Sequence, residues 1–290
     1  NSLKNGMEIM NVKLAGVVIL YHPDIDVWHN IQSYISSVEK LYVLDNTEQP
    51  DSSVVNQLKE DPKIQYIAFY ENRGIAYALN YALTKAQSDG YTFLLTMDQD
   101  SSFTQSNISA YIKRIRASEN TINTIVSYAI NYGPLDKSKL ENQIITYYIT
   151  SGSVLNVDKA IALGMFDENL FIDQVDSEFA YRARIRKQKI ITFFDIYMQH
   201  QLGNTKWYHV GAYQFAVLNH SPVRKYYIFR NLIYVMRKYP FLKYAYIKYI
   251  LKELVKVLFF EKDKWKKLKY IFFAFQDAHN GKFGKCTING

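Results

Sequence analysis

Cysteine is nearly absent from this 290-residue sequence, with Cys286 the single example. A disulfide framework and a Cys-based zinc site are both excluded. No uncharged apolar run approaches the roughly 20 residues that a membrane span requires. No apolar segment with a small-residue cleavage site opens the chain. The expectation is a cytoplasmic, non-spanning protein. Neither a G-x-G-x-x-G fingerprint nor a G-x-x-x-x-G-K-[ST] loop is present, so a dinucleotide or P-loop site has no support. Repeats and low-complexity segments are missing too. What is present excludes disorder: 48% hydrophobic against 21% charged residues, in a chain long enough to bury a large core.

Charge is unevenly spread. Residues 222–290 carry sixteen Lys and Arg against four Asp and Glu, or +12, which leaves −4 for the rest of a chain whose net charge is +8. A basic end on a mildly acidic body favours anionic partners. Aromatic residues, among them 25 Tyr in the whole chain, interleave with the lysines most densely there. The sequence therefore divides into a flexible lead at 1–11, an α/β body at 12–221 and a basic, aromatic-rich helical extension at 222–290.

In the body, strands alternate with helices. Val17-Val-Ile-Leu-Tyr21 is a short apolar run stopped by His22-Pro23-Asp24. Asp24 is the expected cap of a helix with Trp28, Ile31, Ile35 and Val38 on one face. Leu41-Tyr-Val-Leu44 is the next strand and ends in Asp45. A helix at 54–59 and a strand at 64–69 follow. Gly74 opens a helix with Ile75, Ala78, Leu79, Ala82, Leu83 and Ala86 at helical spacing. A buried strand at 91–97 runs into Asp98-Gln99-Asp100. Later come a β-prone stretch at 144–155, short helices at 160–163 and 176–187, and a strand at 190–198. Residues 224–239 and 242–260 read as amphipathic helices.

Ligands of open α/β sheets bind outside the carboxyl ends of the strands. Asp45, Asn72, Asp98 and Asp100 all fall there. Two carboxylates one residue apart on a tight turn suit a hard divalent cation, with water and phosphate filling its other positions. Asp173, Asp176 and Glu178 form a second acidic cluster. Asp176 falls at a helix N-terminus that keeps a carboxylate ionised, as a general base requires; helix capping alone explains the same residue. His200, after a strand, is a candidate metal or phosphate ligand. His220, Arg224, Tyr226, Tyr227 and Arg230 form a polar and aromatic group in which Arg suits a diphosphate. Residues 243–269, with Phe259, Phe260, Trp265, Tyr270, Phe272 and Phe273 among lysines, read as a membrane-surface element or as helices packed on the domain.

Taken in order, these blocks resemble family-two glycosyltransferases of the GT-A type: Val17-Val-Ile-Leu-Tyr-His-Pro23, Val43-Leu-Asp-Asn-Thr47, Glu71-Asn-Arg-Gly74 and Thr96-Met-Asp-Gln-Asp100. Thr150-Ser-Gly-Ser153, Gly164-Met-Phe-Asp-Glu168, Phe171-Ile-Asp-Gln-Val-Asp-Ser-Glu178, His200-Gln-Leu-Gly203 and the block from His220 to Asn231 are similar to the bacterial rhamnosyltransferase branch. The resemblance implies a GT-A fold, a Rossmann-like mixed sheet flanked by helices. It also implies an inverting transfer from a nucleotide-diphosphate-sugar, dTDP-rhamnose or a UDP-sugar, to a glycan acceptor. It places Asp45 at the nucleotide base, Asn72 and Gly74 around the nucleotide, and Asp98 near ribose and metal. Asp100 is placed on Mg²⁺ or Mn²⁺, with His200 beside it, and Asp176 is the catalytic base. His220, Arg224 and Tyr227 are the further donor contacts. Where the family often has Glu-Asp, this chain has Val175-Asp176, so Asp173 or Glu178 is an alternative base. Acceptors in the family are often lipid-linked, which gives the basic tail an anionic membrane to meet. A second copy of the chain is another partner for that aromatic surface.

Three other readings compete. A glycoside hydrolase also uses paired carboxylates, but needs no acidic pair on a nucleotide crevice. A basic nucleic-acid-binding protein fits the tail, yet no nucleic-acid module is visible and none is expected as partner. A transferase that binds donor without turnover is the third.

Overall fold

The computed structural model describes residues 12–118, 124–131, 148–200, 206–210 and 213–288. The lead expected at 1–11, residues 201–203 of the histidine block and the His200 side chain lie outside the described residues. Contacts divide the chain into two compact units. One comprises Asn1–Asn72, Leu79–Met165 and Ala180–His200, the other Arg73–Ala78, Phe166–Phe179 and Gln201–Gly290.

The first unit is built on strands β1 (Leu14–Leu20), β2 (Lys40–Asp45), β3 (Ile64–Ala68), β4 (Phe93–Asp98), β5 (Ser101–Ser102), β6 (Ile125–Asn131), β7 (Ser153–Asn156), β8 (Lys189–Tyr197) and β9 (Gln199–His200). Seven of them form one sheet in the order β3-β2-β1-β4-β7-β6-β8. β1, β2, β3 and β4 run parallel, and β7 is antiparallel to both of its neighbours. All seven residues of β1 are buried, which explains its unbroken apolar run: a central parallel strand is covered on both faces.

Helices α1 (Val27–Gln32), α2 (Ser52–Lys59), α3 (Ile75–Ser88), α4 (Gln105–Ala117), α5 (Val157–Leu163) and α6 (Val175–Ile185) alternate with these strands. α4 buries Ile108, Tyr111, Ile112 and Ile115, one face of a helix, behind a Thr104 cap. α5 ends at Gly164, whose φ of 101° is a left-handed cap that glycine adopts without strain. α1 is shorter than its periodicity suggests, and a 3₁₀ turn at Ile35–Ser37 follows it. The Ser33 hydroxyl donates to Asn30 O at 2.6 Å and accepts the Phe103 N–H at 3.0 Å. Such side-chain bonds offer the backbone an alternative to the helix. Asp24 does not cap α1: its Oδ1 accepts the Asp26 N–H, and Asp26 holds the cap position.

The second unit contains an antiparallel hairpin of β10 (Lys206–Val210) and β11 (Tyr213–Val217) and three helices, α7 (Pro222–Lys238), α8 (Lys243–Phe259) and α9 (Lys264–His279). Pro222, where the basic extension begins in the sequence, is the first residue of α7. Ser221 caps that helix by accepting the Arg224 N–H, and proline at the first helical position has no N–H to leave unpaired. A buried ionic network ties the three helices together. Lys225, 1% exposed, meets Glu253 at 2.8 Å and Glu261 at 2.7 Å, while Lys267, also 1% exposed, meets Glu261 at 2.8 Å. The Lys267 ammonium also donates to Asn219 Oδ1 at 2.8 Å. Buried charges persist when they are paired and hydrogen-bonded in this way.

Candidate active site

In the first unit, the strand register brings the acidic strand ends to one edge. Asp45 lies opposite Leu20 of β1, and Asp98 lies opposite Ile19 on the other side. The two carboxylate-bearing ends are thus one strand apart, roughly 10 Å by the spacing of a sheet. Asp45 is 1% exposed. Its Oδ1 accepts the Thr47 N–H at 2.8 Å and its Oδ2 the Tyr66 hydroxyl at 2.7 Å. Burial and the Asp45 carboxylate together raise the Tyr66 pKa, so this hydroxyl stays a donor. Asn72 is half-buried, in the segment before α3.

Asp98 and Asp100 flank a turn that is clamped from outside. Gln99 Oε1 accepts the Tyr21 N–H at 2.8 Å, and the Asn30 amide donates to Gln99 O at 2.9 Å. The Asp98 N–H goes to Ser151 Oγ at 3.0 Å. Ser101, next to Asp100, pairs with His200 across the β5–β9 bridge, so the His200 backbone is beside this turn. Tyr34 is fully buried, and its hydroxyl has no hydrogen-bond partner among the described residues. Burial first, and then the Asp98 charge, raise its pKa. Asp98 is half-buried and Asp100 exposed, a pair of hard oxygen donors that suits a divalent cation with open coordination positions. No group of three or more His, Cys, Asp or Glu able to hold a metal occurs among the described residues.

In the second unit, the segment leading into α6 gathers three residues of positive φ within four positions. Phe171, Asp173 and Gln174 have φ values of 56°, 66° and 64°, each costing roughly 1–2 kcal/mol for a residue with a side chain. Asn231, fully buried on α7, offsets that strain. Its amide donates to Leu170 O, Ile172 O and Asp173 O at 2.6, 2.7 and 3.0 Å. Arg230 fixes the amide in turn, donating to Asn231 Oδ1 at 3.0 Å and to Gly284 O and Asn169 O. Gly74 has a φ of 85°, and a Cβ there would lie 2.6 Å from Phe171 O. Only glycine lets the start of α3 pass so close. The next residue, Ile75, donates its N–H to that same carbonyl at 2.7 Å.

The three carboxylates of this segment have different environments. Arg224 holds Asp173 through contacts of 2.7 and 2.8 Å; burial raises the Asp173 pKa and Arg224 opposes the rise. Glu178, fully buried, accepts from Lys238 at 2.9 Å and from the Tyr239 hydroxyl at 2.8 Å. Asp176 is half-buried in the first turn of α6, where its Oδ1 accepts the Ser177 N–H at 2.8 Å. Tyr227 is 5% exposed, stacks on Phe171 at 5.1 Å, and accepts the Cys286 N–H. Gly74, Phe171 and Tyr227 thus meet in one layer, and Arg224 joins it through Asp173. His220 lines a pocket of about 830 Å³ with Lys206, Asn219 and Lys262. Its pKa is lowered to about 4 by burial and by Arg224 and Lys225.

Sequence reasoning missed Asn231 as an individual residue. Its signal is a lone amide on a helix whose neighbours Phe229, Leu232 and Ile233 are all buried. Tyr34 and Gln99 were equally unmarked.

The model of the family described as "Glycosyl transferase family 2" matches residues 27–210. A curated relative, "dTDP-rhamnosyl transferase RfbF" of Shigella flexneri, is 25% identical over 251 residues, covering 79% of this chain and 81% of that protein. Among solved structures, S. aureus TarS 1-349 in complex with UDP-GlcNAc superposes with a TM-score of 0.50 at 14% identity, over 93% of this chain and 73% of that one. This likeness shows a shared fold. Against another S. aureus TarS crystal structure the chain spans 43% of that chain, at a TM-score of 0.49 and 15% identity, with 92% of itself covered.

Proposed function

The chain belongs to glycosyl transferase family 2, and from that premise we propose an inverting transfer of rhamnose from dTDP-rhamnose to a hydroxyl of a growing bacterial surface glycan. The likeness to the Shigella rhamnosyl transferase supports the donor. The observation that carries the reading is how the carboxylates around α6 are used. Asp173 is ion-paired with Arg224 and Glu178 is fully buried against Lys238 and Tyr239, whereas Asp176 is half-buried in the first turn of α6, which supports Asp176 as the base. Val175, in the place where the family often has Glu, is buried and takes no part.

The acceptor hydroxyl gives its proton to Asp176 as its oxygen bonds to the anomeric carbon. The bond from that carbon to the donor diphosphate breaks on the opposite face, and the nucleoside diphosphate leaves with the electron pair. One base and no protein nucleophile suffice for inversion. Asp45, Asn72, Gly74 and Asp98 bind the donor in this reading, while Arg224 and Tyr227 act on it through the segment before α6 and His220 from the residues just before α7. Asp98 and Asp100, with His200 beside them, would hold Mg²⁺ or Mn²⁺, which when bound supplies positive charge to the departing diphosphate. A lipid-linked acceptor would bring the enzyme to the inner face of a membrane.

Thermal melting against dTDP, dTDP-rhamnose, UDP and UDP-sugars, each with and without Mg²⁺ or Mn²⁺, tests the donor. Saturation at a hundred times Kd stabilises by about 2.7 kcal/mol. A metal-dependent shift with the thymidine compounds is expected. A shift with UDP-sugars alone would discard rhamnose, and no shift with any nucleotide would sink the reading. Asp176→Asn should abolish transfer and keep the nucleotide shift; near-normal turnover would remove Asp176 from the base role.

A further inference from the structure

α8 carries two apolar faces. Tyr246, Ile250 and Val257 are buried against the unit. A second line, Tyr244, Ile247, Leu251, Val255 and Leu258, follows helical spacing along the helix yet stays 82, 40, 58, 49 and 43% exposed. A helix of a globular protein turns its one apolar stripe to the core and its polar side to water. An outward second stripe needs an occupant of its own. Phe259 and Trp265, 70 and 84% exposed, extend the apolar surface beyond the end of α8.

The charges around the stripe identify the occupant. Lys248 and Lys252 lie along its edge and are exposed, while the one acid of α8, Glu253, is buried. Residues 262–269 add four exposed lysines, Lys262, Lys264, Lys266 and Lys269, against the single exposed acid Asp263. We propose that this face docks on an anionic phospholipid surface. The aliphatic line of α8 enters the headgroup boundary, and the flanking lysines meet the phosphates. The contact lies in the plane of the bilayer, because among the described residues no helix is long and apolar enough to cross it. A second copy is a poorer occupant: two such faces packed about a twofold axis would set lysine against lysine.

The surface differs from the aromatic set expected from sequence. Tyr270 is 3% exposed, Phe273 is half-buried, and Phe260 packs against Tyr208 and Phe215 at 5.2 and 4.9 Å. Phe259, Trp265 and Phe272 remain outward, and the aliphatic line of α8 joins them.

The test is co-sedimentation of the full chain with vesicles of phosphatidylcholine alone or mixed with phosphatidylglycerol. Wild type is compared with Leu251→Glu/Val255→Glu and with Lys248→Glu/Lys252→Glu. Wild type should bind the mixed vesicles and be released as salt rises. Each double variant should bind about tenfold or more weakly, with its melting temperature and nucleotide-induced shift unchanged. Tyr244→Glu replaces any variant that melts early. Wild-type binding by well-folded variants, or equal binding to the neutral vesicles, overturns the proposal. So does light scattering that shows a dimer dissolved by Leu251→Glu/Val255→Glu in a protein that ignores vesicles. The outcome is independent of which sugar is transferred, so a failed donor reading and a failed membrane reading are told apart.

Discussion

One side-chain amide on α7 supports the backbone that leads to the proposed base. Asn231 has two amide hydrogens for three carbonyl oxygens, so the bonds are shared. Asn231→Ala leaves those buried carbonyls short of donors, a loss of about 2 kcal/mol. Urea denaturation should register that loss as a lower midpoint. Transfer by the folded variant should fall in kcat by about tenfold or more, since small displacements of a reacting group are costly, while the nucleotide-induced melting shift persists. A variant with reduced stability and unchanged kcat would make Asn231 purely structural. At this scale the sequence was readable where chemistry is local. Asp98 and Asp100 are neighbours, and the end of a buried strand marks them without any tertiary knowledge. The carbonyls that Asn231 serves lie 58 to 61 residues away in sequence, and no local pattern announces such a bond. Glu178 shows the same limit: it looked interchangeable with Asp176 until Lys238 and Tyr239, 60 and 61 positions later, were found on it.

Among the elements, the junction before α7 has a pH response of its own. His220 is surrounded by burial, Arg224 and Lys225, which disfavour its protonation, and by Glu253 and Glu261, which oppose them; the outcome is a pKa lowered from 6.5 to about 4. Its contribution to stability is complete above the unfolded value near 6.5. That contribution is lost as pH falls from there towards 4, because the unfolded chain takes up the proton first. Wild type should therefore lose more melting temperature than His220→Gln between pH 7 and pH 5, and parallel curves would dismiss the effect. α3, whose apolar residues recur at helical spacing, was legible from sequence. α4 has a Thr104 cap and a buried face at helical spacing, yet its segment was not placed. The β10–β11 hairpin was unplaced for a physical reason: Trp207, at 61% exposure, shares the outward face of β10 with exposed His209, so apolar and polar residues do not alternate along the strand. Period-two alternation is strongest where one face of a strand is buried. α1 misled in the opposite direction, because Ile35 and Val38 keep a helical period after the Ser33 hydroxyl has helped to end the helix.

For the whole molecule, the +12 of residues 222–290 separates into two populations that composition cannot distinguish. One, including Lys248, Lys252 and the exposed lysines of 262–269, faces solvent. The other, Lys225 and Lys267, is sealed between glutamates inside the three-helix layer. Counting charge identified a basic end; only packing tells which part of it can meet an anion. The sealed pair has a consequence for covalent chemistry. Acylating reagents need an accessible amine, and neither lysine, 1% exposed, offers one while Glu261 and its neighbours enclose it. In a timed labelling experiment read by mass spectrometry, the surface lysines should react at once, whereas Lys225 and Lys267 should react only as often as the helices part. Their acylation rate then becomes a clock for the opening of this layer, present in the native chain without any added probe.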